Sequence, residues 1–315
     1  MHVPPREARE LFLKAQAIRS QGSLEAFHSG VTDLTRAIEI DPSYSDAYAA
    51  LAGLYASAAG NFGPEPLSYI PPAKAAAAKA LELDPWSYRA FAVQGYMDGL
   101  ILMDWSRAES ELRKAVLLQP KDSGNHNWLG LTLLAQGRFE KAIQELRTAQ
   151  DLDPLHPGAT LGFALYCARR YDEALHELIQ MIHLHPDVIA LHPYLGAVYE
   201  AKGEYEKAEA EYDFVLPTQP YAVKDRIAHL LAVMGKRDQA QRLLAELEHP
   251  REQPPDAFSI AIIHAALDER DQAFEWLERA YESRKIALVK VHPMLDPLRA
   301  DVRYQAFLKK TRLDP

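Results

Sequence analysis

Small residues recur along this chain at two positions with a fixed separation, and no other feature restricts its fold as strongly. The first series has steps of 32 to 34 residues: Gly130, Gly162, Gly196, Ala228 and Ala261. The second series follows 12 residues after each of these: Ala142, Ala174, Ala208, Ala240 and Ala273. A repeat of this length is one supersecondary unit that stacks on its neighbours. The chain is therefore predicted to be a linear array of similar repeats.

Each repeat is predicted to be a pair of antiparallel helices. Alanine, leucine and glutamate are abundant and favour helix, and a small residue on each helix lets the two backbones approach closely. Gly137 and Gly203 are placed to end first helices, because glycine adopts the left-handed conformation found there. Second helices are predicted to end at prolines, since the residue before a proline is driven out of the helical region. These prolines are Pro42, Pro85, Pro120, Pro154, Pro186 and Pro220.

Eight repeats and a terminal cap account for the chain. The repeats are predicted at residues 7–42, 45–85, 88–120, 123–154, 155–186, 189–220, 221–250 and 254–283. The second repeat carries nine extra residues, around a loop at 60–72 that is either functional or a fixed structural variant, and the third repeat carries one. Residues 284–315 are predicted to form the cap, with Asp301 beginning a last helix whose apolar residues cover repeat eight.

Composition restricts the class of function. The 315 residues carry a formal charge of -9 without a basic cluster. Nucleic acid is therefore a poor partner for this chain by itself, because phosphate binding depends on basic residues. A single cysteine, Cys167, excludes a disulfide framework within a monomer. The first residues lack the apolar core of a signal peptide, and no apolar run is long enough for a membrane span. A cytoplasmic location is expected, whether the chain is whole or a fragment.

The sequence carries no recognisable catalytic pattern. It contains no glycine-rich phosphate loop and no G-x-S-x-G elbow. In HELIQ at residues 176–180, glutamine replaces the second histidine of a zinc-protease helix. His183, His185 and His192 are either a surface metal site or histidines at helix ends, and Cys167 is either a redox sensor or a small buried residue. We expect no enzyme activity, no cofactor and no metal.

Aromatic residues stand three positions before an alanine of four second helices, at Trp105, Phe139, Tyr171 and Tyr205. Together with the two series of small residues, they resemble the tetratricopeptide repeat, which has about 34 residues per helical pair. The elements YSDAYAALAGLY, PPAKAAAAKALELDP, MDWSRAESELRKAV and HPMLDPLRADVRYQAFL resemble one particular region of this type. That region lies at the C-terminal side of bacterial multidomain signalling proteins, after a kinase, adenylate-cyclase or winged-helix domain. The resemblance implies an all-α, right-handed superhelical solenoid of about eight helix pairs with a capping helix.

The resemblance also implies that the first helix of each pair lines a concave groove that binds another protein or peptide. The implied partner-binding residues are Tyr96, Asn127, Leu131, Phe163, Tyr166, Glu200, Asp225, His229, Phe258 and Ile262. Chaperone-binding relatives use lysine and asparagine at such positions, and only Asn127 matches. The groove is apolar and suits a helical or extended segment, unless its side chains pack on one another. The alternative function is the ligand-sensing half of a transcription or kinase system, which requires a closed pocket. Partner identity and oligomeric state are left open.

Overall fold

A computed structural model describes residues 2–18, 23–61, 66–154, 158–249 and 255–313. Within these ranges all regular structure is helical and no strand occurs. By contact density the chain divides into two compact units, unit 1 (Met1–Leu129) and unit 2 (Gly130–Pro315). Each unit is described by itself below.

Unit 1 contains three helix pairs and the start of a fourth. Its helices are α1 (Arg6–Ile18), α2 (Leu24–Ile40), α3 (Ser45–Asn61), α4 (Ile70–Leu83), α5 (Tyr88–Tyr96) and α6 (Trp105–Leu118). The next helix, α7 (Ser123–Ala135), contains the boundary between the units.

Unit 2 continues the same pattern and adds a single last helix. Its helices are α8 (Phe139–Leu152), α9 (Thr160–Cys167), α10 (Tyr171–Leu184), α11 (His192–Ala201), α12 (Tyr205–Val215), α13 (Lys224–Val233), α14 (Arg237–Glu248), α15 (Ala257–Ala266), α16 (Arg270–Glu282) and α17 (Val302–Lys310). Sixteen of the seventeen α-helices among the described residues thus form eight consecutive pairs. The predicted all-α fold of helix pairs is confirmed.

The small residues of the first series lie where two helices touch. A Cβ added to Gly130 would lie 2.6 Å from Leu146 Cγ and 3.2 Å from the carbonyl oxygen of Ala142. A Cβ added to Gly162 would lie 2.6 Å from Leu178 Cγ. In both pairs the large neighbour stands four residues after the alanine of the second series, one helical turn along the same face. The series therefore records a close contact between the two helices of each pair.

The turns within pairs use the left-handed backbone conformation at one fixed position. Gly137 and Gly203 have φ of +79° and +76°, as predicted. Gly235 fills the equivalent position after α13, with φ of +75°. Arg169 takes this conformation after α9 with φ of +62°, although a side chain there costs about 1–2 kcal/mol. Asp268 also takes this conformation, after α15, with φ of +56°.

The extra residue of the third repeat is absorbed by a π-helical turn. Helix α5 continues as one such turn at Met97–Ile101, where the amide of Leu102 donates to the carbonyl of Met97 at 2.9 Å. A single inserted residue is the usual origin of a π-turn within a helix. The longer separation of Gly95 from Ala108 in the sequence is the signal of this insertion.

The insertion of the second repeat is partly described. Helix α3 runs to Asn61, residues 62–65 lie outside the described ranges, and a 3-10 turn follows at Pro66–Tyr69. The Tyr69 ring packs against Phe27 at 5.4 Å and Tyr55 at 6.4 Å between centroids. This end of the predicted 60–72 loop is thus packed on the core of unit 1. None of the described helices combines the length and apolar character needed to cross a membrane.

We predict that Gly130→Ala lowers the free energy of unfolding by about 1–3 kcal/mol, because the new methyl group overlaps Leu146 and cannot retreat from the Ala142 carbonyl. Gly53→Ala is the matched control, since an added Cβ there would lie 3.5 Å from Val93, an ordinary contact. Alanine in a helix interior should leave that variant as stable or slightly more stable. Urea unfolding followed by circular dichroism measures both, and equal stabilities would contradict the contact.

Candidate functional site

The first helix of each pair carries the residues predicted to bind a partner, and in unit 2 this face is covered by the chain itself. We call residues 286–298, which follow α16, the return segment. Its His292 side chain is 3% exposed. The imidazole centroid lies 5.8 Å from the Phe163 ring, 6.1 Å from Tyr166 and 5.6 Å from Phe258. An aromatic cluster from α9 and α15 therefore holds the return segment on this face.

Polar contacts fix the same segment at two further points. The Arg169 guanidinium, at the turn after α9, donates to the carbonyl of Val291 at 3.1 Å and to Asp296 at 2.6 Å. The Arg226 guanidinium on α13 lies 3.5 Å from the Met294 sulfur. Together with the contact of Phe258 on α15, these contacts involve three first helices or their turns, so the segment runs along the face rather than touching it at one end.

The return segment is also part of the core of unit 2. Val289, Leu295 and Leu298 are fully buried. Helix α17 is joined to the segment by the Tyr304 hydroxyl, which donates to the Val289 carbonyl at 2.5 Å. Phe307 of the same helix packs against Tyr281 on α16. The predicted cap region thus contacts the last pair through α17 and also reaches back over earlier repeats through the return segment.

The predicted partner-binding residues of unit 2 fall into three groups. Phe163, Tyr166 and Phe258 contact His292. Ile262 is 5% exposed, and Asp225 accepts a hydrogen bond from Ser259 at 2.7 Å. Glu200 and His229 form a buried pair and line a cavity with Tyr166. As partner-binding residues they stay predictions, and most of their contacts are with their own chain.

The return segment was missed by sequence reasoning, which assigned the cap to the last repeat alone. One signal for it is present in HPMLDPL at residues 292–298, where two prolines rule out a regular helix. The apolar residues between them still require burial. A 3-10 turn at Pro293–Leu298 resolves this conflict by burying Met294, Leu295 and Leu298 in a short tight turn.

In unit 1 the first helices line an open cavity of about 380 Å³. Its floor is made of small residues of α3, including Ala49, Gly53 and Ala56. Val93 and Tyr96 of α5 line its side, and Tyr96 meets the Trp128 ring of α7 edge-on. Both charged lining residues have partners, since Arg89 pairs with Asp46 at 3.4 Å and Asp122 accepts from the backbone amide of Asn125 at 3.0 Å.

Helix α7 carries two further predicted residues, Asn127 in unit 1 and Leu131 in unit 2. Asn127 is half-buried and adjoins Trp128, which lines the cavity. Leu131 is half-buried one turn further along the helix. Tyr96 is thus the predicted residue that the structure places in the cavity wall itself.

The histidines and the cysteine singled out in the sequence have local partners. His183 and His185 bond to the carbonyls of Ile179 and Pro154, and His192 pairs with Glu211 at 2.6 Å. Among the described residues, no group of three or more histidine, cysteine or acidic side chains is arranged to hold a metal. Cys167 is fully buried, and this burial raises the pKa of its thiol, which disfavours the reactive thiolate.

Comparison with known proteins identifies the repeats. Residues 103–157 and 160–223 match the tetratricopeptide repeat family, so repeats of this type are present in that part of the chain. A comparison with curated protein sequences gave no match.

Solved structures agree on the fold. Yeast Tom70 is similar over 99% of this chain and 66% of its own, with 16% identity and a TM-score of 0.56. PilW, a widely conserved type IV pilus biogenesis factor, covers 69% of this chain and 96% of its own at 17% identity, with a TM-score of 0.52. A thermophilic TPR protein of Thermus thermophilus covers 61% and 98% at 19% identity, with a TM-score of 0.51.

We predict that His292 makes unit 2 sensitive to acid. Burial, with the positive charge of Arg226 beside it, holds the pKa of His292 well below its usual value. Its Nδ1 accepts from the Met294 amide at 3.3 Å, which requires an unprotonated nitrogen. Below a pH of about 6.5, His292 binds a proton in the unfolded chain but stays neutral in the folded chain. Stability should then fall by up to about 1.4 kcal/mol per pH unit from this residue.

The test compares His292→Asn, whose side-chain oxygen can still accept from Met294 without titrating, with His176→Asn at an exposed position. Unfolding free energies between pH 7 and 5 should fall less steeply for the first variant than for the native chain. The control should match the native slope. Identical slopes for all three proteins would show that His292 is not held neutral.

Proposed function

We propose that this protein is a non-catalytic binding module that holds a segment of another polypeptide on the first helices of unit 1. Tetratricopeptide repeats generally mediate protein–protein interaction through such faces. The observation that carries the proposal is the return segment, because it shows a stretch of polypeptide lying on the corresponding face of unit 2. In unit 1 the equivalent face contains a cavity of about 380 Å³ that no described part of unit 1 fills.

The chemistry of the unit 1 cavity favours an apolar segment. Alanine and glycine on α3 allow a close approach of backbone, and Tyr96 with Trp128 offers aromatic surface for a buried anchor. Aromatic positions of this kind carry much of the energy of protein interfaces. Arg89 is paired with Asp46, and the Asp122 carboxylate accepts a hydrogen bond from the backbone amide of Asn125, so both charged groups at the cavity already have a partner. A short helix or an extended strand rich in apolar residues fits these features.

The setting that we propose is regulatory. The likeness of the repeats to the C-terminal region of bacterial signalling proteins supports a role in positioning or controlling a partner. Phe163, Tyr166 and Phe258 are not part of the proposed partner site. They contact His292 of the return segment, which is a segment of their own chain.

We predict that Tyr96→Ala weakens the binding of peptides selected from a random displayed library by about thirtyfold, the effect of losing about 2 kcal/mol of anchor energy. Trp86→Ala is the matched control, since it removes an aromatic residue that is 73% exposed and outside the cavity. Fluorescence anisotropy with labelled peptides measures both affinities, and circular dichroism checks that helicity is kept.

The double variant Phe163→Ala with Tyr166→Ala separates the two units in the same assay. If the proposal is right, it binds the selected peptides as the native chain does, provided that it remains folded. Loss of binding in the folded double variant together with native affinity for Tyr96→Ala would place the site in unit 2. Equal losses for Tyr96→Ala and Trp86→Ala would contradict a site in the unit 1 cavity.

A further inference from the structure

Unit 2 contains a partly open cavity that the return segment helps to line. Its volume is about 310 Å³, and its walls come from α9, α10, α11, α13, α15 and the return segment. The small side chains of Ala197 and Ala201 line one part of the cavity, and Pro293 and Pro297 of the return segment line another. At about 30 Å³ per water molecule the space would hold about ten waters, far more than an isolated buried water site. The volume lies at the lower end of the range for small-molecule sites.

Two polar atoms at this cavity lack partners within the chain. Tyr166 is 2% exposed, and its hydroxyl makes no hydrogen bond to any described residue. His229 is 6% exposed and uses Nδ1 for Glu200, while its Nε2 has no partner among the described residues. Neither atom is among the described side-chain atoms that are both fully enclosed and unpaired. The two atoms therefore keep some accessible surface although their side chains are almost fully buried, and each is available to bond a ligand or water in the cavity.

The neighbouring contacts determine which atom donates and which accepts. Glu200 accepts from the Tyr212 hydroxyl at 3.1 Å and from His229, so the imidazole hydrogen lies on Nδ1. In the neutral imidazole Nε2 then accepts a hydrogen bond. Burial raises the pKa of Tyr166, so that its phenol stays protonated and donates. A molecule bridging the two atoms must accept one hydrogen bond and donate another.

The surrounding charges disfavour an ionised ligand. The Glu200 carboxylate lies directly behind the imidazole and repels an anion, whereas the Arg226 guanidinium acts electrostatically on Tyr166 and repels a cation. Asp296 at the entrance is already paired with Arg169 and Arg299, each at 2.6 Å. A neutral carboxamide satisfies both polar atoms, since its carbonyl accepts and its amide hydrogen donates.

We propose that this cavity binds a small molecule with a neutral carboxamide head on a flat apolar body. The head would lie between Tyr166 and His229, and the body against the alanine and proline walls. This site is separate from the polypeptide site proposed in unit 1, and its test does not depend on that proposal. Unit 2 would then be a ligand-sensing element, because a molecule bound in the cavity contacts the return segment directly.

Three probes of nearly equal shape test the assignment: benzamide, benzoate and benzylamine. Each is titrated into the full chain at pH 7.5, with binding followed by protein-observed NMR. Benzamide should bind at least about tenfold more tightly than either charged analogue. Tyr166→Phe removes only the hydroxyl and should weaken benzamide by about three- to tenfold. Tyr221→Phe, at a tyrosine that is 69% exposed and outside the cavity, is the matched control and should leave the affinity unchanged.

The outcomes that overturn the proposal are distinct. No binding of benzamide up to about 10 mM would show that the cavity holds only water. Equal binding of all three probes, or preference for a charged one, would contradict the neutral head. An unchanged affinity in Tyr166→Phe would place the molecule elsewhere. If that variant fails to fold, nuclear Overhauser contacts from benzamide to the Tyr166 and His229 rings in the native chain decide the question.

Discussion

Burial of the return segment against the first helices of unit 2 determines which surfaces of this protein remain available. Val289, Leu295 and Leu298 are fully buried, and each such side chain contributes about 1.5–3 kcal/mol when removed from water. Arg169 adds hydrogen bonds to Val291 and Asp296. Without this segment the aromatic residues of α9 and α15 would be exposed.

The two units share the same packing within helix pairs but differ in what covers their first helices. In both, a small residue on the first helix admits a large side chain from the second, as Gly95 admits Leu112 and Gly130 admits Leu146. The inner face differs, since unit 2 buries its aromatic residues under its own chain whereas unit 1 leaves Tyr96 in the wall of an open cavity. Among the described residues, the first-helix face of unit 1 thus contains an open cavity of about 380 Å³, whereas that of unit 2 contains a partly open cavity of about 310 Å³ beside the return segment.

The fold was predictable from the sequence because helix pairing depends on local, periodic features. Glycine and alanine at fixed spacing mark the contact between two helices, and the extra residue between Gly95 and Ala108 marks the π-turn at Met97–Ile101. The site was only partly predictable. The positions of Phe163 and Tyr166 on first helices followed from the repeat, but their contact with His292 joins residues more than 120 positions apart. No periodicity reports a contact of that range, and the two prolines of HPMLDPL only exclude a helix there.

The central claim is that the return segment is a permanent part of unit 2 and not a loosely held tail. Amide hydrogen exchange tests this most directly, with each residue read by NMR. The amides of Val289, Val291 and Leu295 each donate to a backbone carbonyl at 3.0 to 3.2 Å and lie in a buried segment. The account predicts that they exchange as slowly as the amides of α9 and α15, through opening of the whole unit. Exchange at the rate of an unstructured chain, with α9 still protected, would contradict it.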